Sequence, residues 1–340
     1  MNARRGFFRA GLAAVAGGLV GRSWGADVQP ATVTPLDGFD TAGPVTVTRT
    51  GQTLSFLDPS RRRIVAADPA EPTKRWTALG ADGGVADVPG TVAAIASLDS
   101  STMLVLWNDG GEWSLRSHRV RPPGTDGAEA TLQTVALGRA DGDSAGRRVD
   151  LVISPSRTLF AVVGLPAPLP PILRGRITGV RLDAPSERRC PALDGREVAA
   201  LTFGPGDEWV VFTIAPGADA AARLEWYASS GGGALMALDT GLPGVRDVAW
   251  DTETGRLFAL AGVEGSATHP PGLWRLDAEL TGVRQTCRPV CVARVGAAHG
   301  LVCLPRQVVI VSHTDGSGGL VRITVPDRPA DAAAAPQEGR

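Results

Sequence analysis

Six times along this chain a β-rich apolar run, a tight turn of Pro, Gly, Asp or Ser, and a second apolar run follow one another, at intervals of about fifty residues. The copies are Val45–Thr48 with Leu54–Leu57, Val92–Asp99 with Met103–Trp107, Val149–Ser154 with Leu159–Val163, Ala199–Phe203 with Trp209–Ile214, Asp247–Trp250 with Leu257–Leu260, and Leu301–Leu304 with Val308–Val311. Short alternating runs rich in β-branched residues and bounded by turn residues predict strands. No helical apolar stripe follows residue 26. A further strand pair follows each copy but the last, such as Trp113–Val120 with Thr131–Leu137, or Gly272–Leu276 with Cys287–Val292. The tryptophans sit mainly in these strand patterns, which predicts core positions for Trp107, Trp113, Trp209, Trp250 and Trp274.

Four strands per repeat is the signature of a propeller blade. The prediction is therefore all-β: a β-propeller of six four-stranded blades, with seven as the alternative count. The last repeat shows three strands, ending at Leu320–Val325, while Ala31–Leu36 precedes the first copy with nothing of its own to pair with. Lending that N-terminal strand to the last blade closes the ring and leaves no open edge. By pattern over residues 31–325 the chain resembles six-bladed propellers of the NHL, TolB and SMP-30 type. It has neither a Gly-His with Trp-Asp pair nor a kelch Gly-Gly. One propeller domain is expected over residues 27–326, with a disordered tail over 327–340.

Residues 1–26 read as an address. Arg4-Arg5-Gly6-Phe7-Phe8-Arg9, a weakly hydrophobic Ala10–Gly21 segment and a small-residue exit make a signal peptide. Arg4 and Arg5 ahead of Phe7 and Phe8 resemble the twin-arginine export motif, with Ala3 where that motif usually has Ser or Thr. The resemblance implies a periplasmic or extracellular protein. No cysteine follows the apolar segment to take a lipid, and no later stretch is long and apolar enough to span a bilayer. Residues 1–26 hold four arginines and no acidic residue, so the remainder carries 30 basic against 35 acidic residues, a net of −5. A mildly acidic protein without a basic cluster is a poor match for nucleic acid.

Loops on a rigid scaffold carry function more often than its strands do. In a propeller the loops between strands two and three share a face with the blade-to-blade connections. Here those loops are expected at Gly164–Arg176, Ala215–Ala222, Gly262–Gly272 and His313–Gly319, with the connection Gly138–Arg148 on the same face. Asp141, Asp143, Arg174, His269, His313 and Asp315 are its polar candidates for binding a protein, peptide or saccharide.

Chemistry is fainter. Gly142-Asp143-Ser144-Ala145-Gly146 matches a nucleophile elbow, but that motif needs a helix after it, and here a strand follows. The same segment opens like a calcium loop yet has Ala145 and Val152 where ligands are needed. Aligned on their turns, the copies place Val45, Ala94, Asp150, Ala200, Asp247 and His299 at the start of the innermost strand. Asp150, Asp247 and His299 could together hold a divalent metal ion or act as acid and base. That is the alternative reading, a metal-dependent propeller hydrolase or lactonase. The simpler reading has them bonding backbone amides as a strand opens, in which case Asp247→Asn costs about 1 kcal/mol or less.

Of the four cysteines, Cys287 and Cys291 in one straight strand would stand roughly 13 Å apart, too far to bond unless Pro289 bends the segment. Cys190 and Cys303 complete an even count that permits disulfides or buried thiols. A zinc site from Cys287, Cys291, His299 and Cys303 fits no structural-zinc spacing well.

Overall fold

The computed structural model describes residues 31–36, 45–47, 53–58, 63–68, 71, 74–79, 90–120, 130–140, 149–170, 172–183, 193, 196–214, 220–228, 233–281, 284–296, 298–304, 307–314 and 317–325. Of these, residues 47, 278–281, 284–286, 299, 307–314 and 317–318 are described by backbone course alone. The export motif Arg4, Arg5, Phe7 and Phe8 and the tail over 327–340 lie outside this set.

The first strand is β1 (Thr32–Leu36). The first repeat gives β2 (Val45–Val47), β3 (Leu54–Leu57), β4 (Ile64–Ala67) and β5 (Arg75–Leu79). The second gives β6 (Thr91–Ser97), β7 (Thr102–Asp109), β8 (Glu112–Arg119) and β9 (Ala130–Arg139). The third gives β10 (Asp150–Ile153), β11 (Leu159–Val163), β12 (Ile172–Thr178) and β13 (Arg181–Leu182). The fourth gives β14 (Glu197–Phe203), β15 (Trp209–Ile214), β16 (Ala222–Tyr227) and β17 (Ala234–Leu242). The fifth gives β18 (Asp247–Asp251), β19 (Arg256–Ala261), β20 (Gly272–Thr281) and β21 (Arg284–Arg294). The last gives β22 (Ala298–Leu304), β23 (Gln307–Thr314) and β24 (Ser317–Thr324).

Sheets one to five are four-stranded meanders in chain order, and the sixth runs β22-β23-β24-β1. The first strands β2, β6, β10, β14, β18 and β22 touch in that order, and β22 touches β2. The result is an all-β, propeller-like arrangement. β1 pairs antiparallel with β24, from Thr32 opposite Thr324 to Leu36 opposite Leu320. The N-terminal strand thus lies where the unpaired edge of the last repeat leads one to expect it.

The core is a set of apolar layers between neighbouring sheets. Trp107, Leu79 and Ile64 lie between sheets one and two, and Trp113, Phe160 and Leu151 between two and three. Trp209, Phe203 and Tyr227 lie between three and four, and Trp226, Trp274 and Leu257 between four and five. Phe258, Leu301 and Ile323 fill the layer between five and six, and Leu54, Phe56, Leu304 and Leu320 the layer between six and one. Each such side chain contributes about 1.5–3 kcal/mol on full burial. This is why the tryptophans belong to strands. They are the large members of the inter-sheet layers, with the Arg116 guanidinium 4.8 Å above the Trp107 ring. Side chains also tie sheets together: the Gln133 amide donates to Leu182 O and accepts from Leu182 N–H, each at 2.7 Å.

Two loops are shorter than expected. The alternation Ile172-Leu173-x-Gly175-x-Ile177 continues β12 back to Ile172, so Arg174 is a strand residue opposite Ala161. Four closely spaced prolines (Pro166, Pro168, Pro170, Pro171) make that loop read longer than it is. Likewise β23 runs on to Thr314, which places His313 in a strand opposite Gly318.

Candidate loop face

In a four-stranded meander the turns after strands two and four emerge at one end, and the hydrogen bonds show that they meet there. Gly262 N–H donates to Pro243 O at 3.0 Å, Ala140 N–H to Gly111 O at 3.0 Å, and Val295 N–H to Pro271 O at 3.2 Å. The first bond joins the second-to-third-strand loop of sheet five to the connection entering that sheet, and the other two join such a loop to the connection leaving the same sheet. The Gly262–Pro271 loop is folded on itself: Val263 N–H donates to His269 O at 2.9 Å, and His269 N–H to Ser266 Oγ at 3.0 Å. Gly262 makes this possible. It has φ +110°, and a Cβ there would sit 2.2 Å from Pro270 O, so any other residue would push the loop away. The loop presents His269, whose ring centroid lies 5.7 Å from that of Trp274 and whose Nδ1 is 3.1 Å from Thr268 Oγ1.

Of the other expected face residues, one is placed away from the loop tips. Arg174 lies along sheet three with its guanidinium 5.3 Å from the Trp209 ring, between sheets rather than at a loop tip. Asp141, Asp143 and Asp315 lie outside the described residues, as do the elbow-like and calcium-like segment Asp141–Gly146 and Cys190.

The innermost-strand positions separate into two kinds. Asp150 opens β10 with its Oδ1 accepting from Leu151 N–H at 2.8 Å. Asp247 opens β18, is 3% exposed, and accepts from Val248 N–H at 2.7 Å. Its second oxygen reaches the next sheet and accepts from Leu301 N–H at 2.6 Å. This carboxylate therefore staples β18 to β22 across 54 positions of sequence. A cap confined to its own strand would have a single backbone bond to lose. With the cross-sheet bond, replacing Asp247 is expected to cost more than the roughly 1 kcal/mol read from sequence. His299 falls at a register shift between Ala298 and Gly300, and corresponding shifts occur at Val92/Ala94 and Val198/Ala200 in sheets two and four. Among the described residues no three His, Cys, Asp or Glu side chains are grouped to hold a metal; the His299 side chain is not among them.

The thiols are dispersed. Cys287 and Cys291 lie on a continuous β21, opposite Ala278 and Trp274, and join the layer between sheets four and five. Cys303 joins the layer between five and six. All three are free, and burial pushes Cys287 up to about 12 and Cys291 and Cys303 also upward. Pro289 does not fold the segment back; it pairs with Leu276 in an outermost strand, a position where proline is tolerated. The Cys287, Cys291 and Cys303 thiols therefore do not converge as a zinc site requires.

One polar cluster goes unannounced in the sequence. Arg196, leading into β14, donates to both oxygens of Glu225 at 2.8 and 2.9 Å, to Thr213 Oγ1 at 2.8 Å and to Tyr227 Oη at 3.2 Å. Tyr227 Oη also donates to Glu225. Burial raises the Glu225 carboxyl, but the bonds from Arg196 and Tyr227 outweigh it and hold the group below its ordinary value. The signal available was a glutamate inside the apolar run Ala222–Tyr227. It marks a buried carboxylate paired with a partly exposed arginine beside the sheet three–four layer.

No family model matches the chain, and no curated protein matches it. Solved structures do. A luciferin-regenerating enzyme is 12% identical with a TM-score of 0.51, covering 86% of this chain and 95% of that one. A chain of the mitotic checkpoint complex is 12% identical with a TM-score of 0.51, covering 91% of this chain and 97% of that one. At this identity the likeness is one of fold, and it makes the protein a β-propeller.

Proposed function

We propose that this is a six-bladed propeller, exported on a twin-arginine signal and acting in the periplasm or outside the cell as a binding module. Its loop face takes a protein, peptide or saccharide partner. The observation that carries the reading is the pre-formed Gly262–Pro271 loop, held by Gly262 and bonded to Pro243 at the sheet-five connection. A loop fixed before binding loses less entropy when a partner docks. Within propellers we read the chain as one of the NHL, TolB and SMP-30 type, on its repeat pattern alone. The second reading, a metal-dependent hydrolase or lactonase using Asp150, Asp247 and His299, draws support from an enzyme among the structural neighbours. Against it, both Asp247 oxygens already accept backbone N–H bonds.

Export is tested by replacing Arg4 and Arg5 with lysine. The precursor is expected to stay inside the cell, and unchanged export of the Lys-Lys form would point to the general secretory route. Binding is tested with a photo-cross-linking residue at Thr268, on the loop face, or at Thr252, in the turn at the opposite end of sheet five. Adducts are expected in the producing cell from Thr268 and not from Thr252; the reverse pattern would overturn the reading.

A further inference from the structure

His118 lies in β8, on the strand face that turns toward sheet one. Trp113 and Leu115 pack toward sheet three, whereas Arg116 and His118 share the other face with Trp107 and Met103. The ring is 2% exposed. Its Nδ1 is 3.2 Å from Thr131 Oγ1 on β9, and its Nε2 has no partner among the described residues. A buried imidazole with one nitrogen unsatisfied is tolerable while neutral. Protonated, it makes both nitrogens donors and leaves a charged N–H without an acceptor.

Among the described residues packed against the ring, none offers compensation. On β8 itself the neighbouring charges are Arg116, on the same face, and the exposed Arg119. From β7 come Met103, Val105 and Trp107, and from β9 Thr131. Sheet one presents Ile64, Ala66, Ala78, Leu79 and Trp76, with Arg75 exposed at the start of β5. None of these is a carboxylate, and every charge among them is positive.

We propose that the joint between sheets one and two is an acid-labile device triggered by His118: a proton taken up by this ring loosens the outer strands of sheet two from sheet one. Burial, with Arg116 adding to it, holds the imidazole down to about 4, below its ordinary 6.5. The sign follows. Above about 6.5 the ring is neutral in both states and stability is complete. Between about 6.5 and 4 the unfolded or opened ring binds a proton that the closed one refuses, so the opening constant rises about tenfold per pH unit. Below about 4 both are charged and this contribution is flat.

Urea unfolding of the purified protein between pH 7.5 and 4.5, beside His118→Leu, measures the proton uptake. Wild type should lose about one proton's worth of pH slope that the variant lacks, since carboxylates titrate in both. Hydrogen exchange at pH 5 should show β8 and β9 losing protection in wild type before β18 and β19. Equal slopes, or uniform loss of protection, would overturn the proposal. Should His118→Leu fail to fold, the ring resonances of wild type decide it: the chain has four histidines, and a His118 titrating near 6.5 in the folded protein contradicts the device.

Discussion

Deleting residues 27–38 is expected to lower the melting temperature by roughly 10 °C and to cause aggregation. β1 closes the sixth sheet through five residue pairs with β24. At about 1 kcal/mol per backbone bond and a few degrees per kcal/mol in a chain of this size, losing that pairing gives the stated shift. The exposed β24 edge, with Leu320 and Ile323 beside it in the apolar layers, then becomes a template for another chain. Adding a synthetic 27–38 peptide should restore stability with its concentration by mass action. A deletion that melts like wild type would mean that β1 contributes nothing to closure.

The second large effect is at Asp247. Asp247→Ala removes the acceptor for two N–H groups, Val248 in its own strand and Leu301 in the next sheet, and is expected to cost about 3 kcal/mol. Asp247→Asn keeps one carbonyl oxygen but turns an amide N–H toward the other donor, for about 2 kcal/mol. Chemical denaturation measures both. A loss below about 1 kcal/mol for the alanine variant would mean that the bond across sheets five and six does little.

The bond from Leu301 to Asp247 was not legible in the sequence, whereas much else was. Strand pairs, turns and the stray strand Ala31–Leu36 are local patterns, and alternation with turn residues reveals them without knowledge of the fold. The inter-sheet tryptophans follow from the same patterns. What Asp247 does depends on Leu301, and what Glu225 does depends on Arg196, each contributed by a distant stretch of chain. The thiols illustrate the converse: Cys291 and Cys303 are close in sequence but sit in different layers because the chain passes from the outermost strand of one sheet to the innermost of the next. Arg174 and His313 were misplaced by proline and glycine content, which marks where loops are but not where they stop.

The choice between a binding module and a metal-dependent enzyme rests on one measurement. Melting temperature is followed against calcium, manganese and zinc for wild type and Asp247→Asn. A fixed gap between the two proteins and no rise with any of the three ions are expected. A rise with metal in wild type that disappears in Asp247→Asn, as mass action on a site using that carboxylate requires, would contradict the binding-module reading.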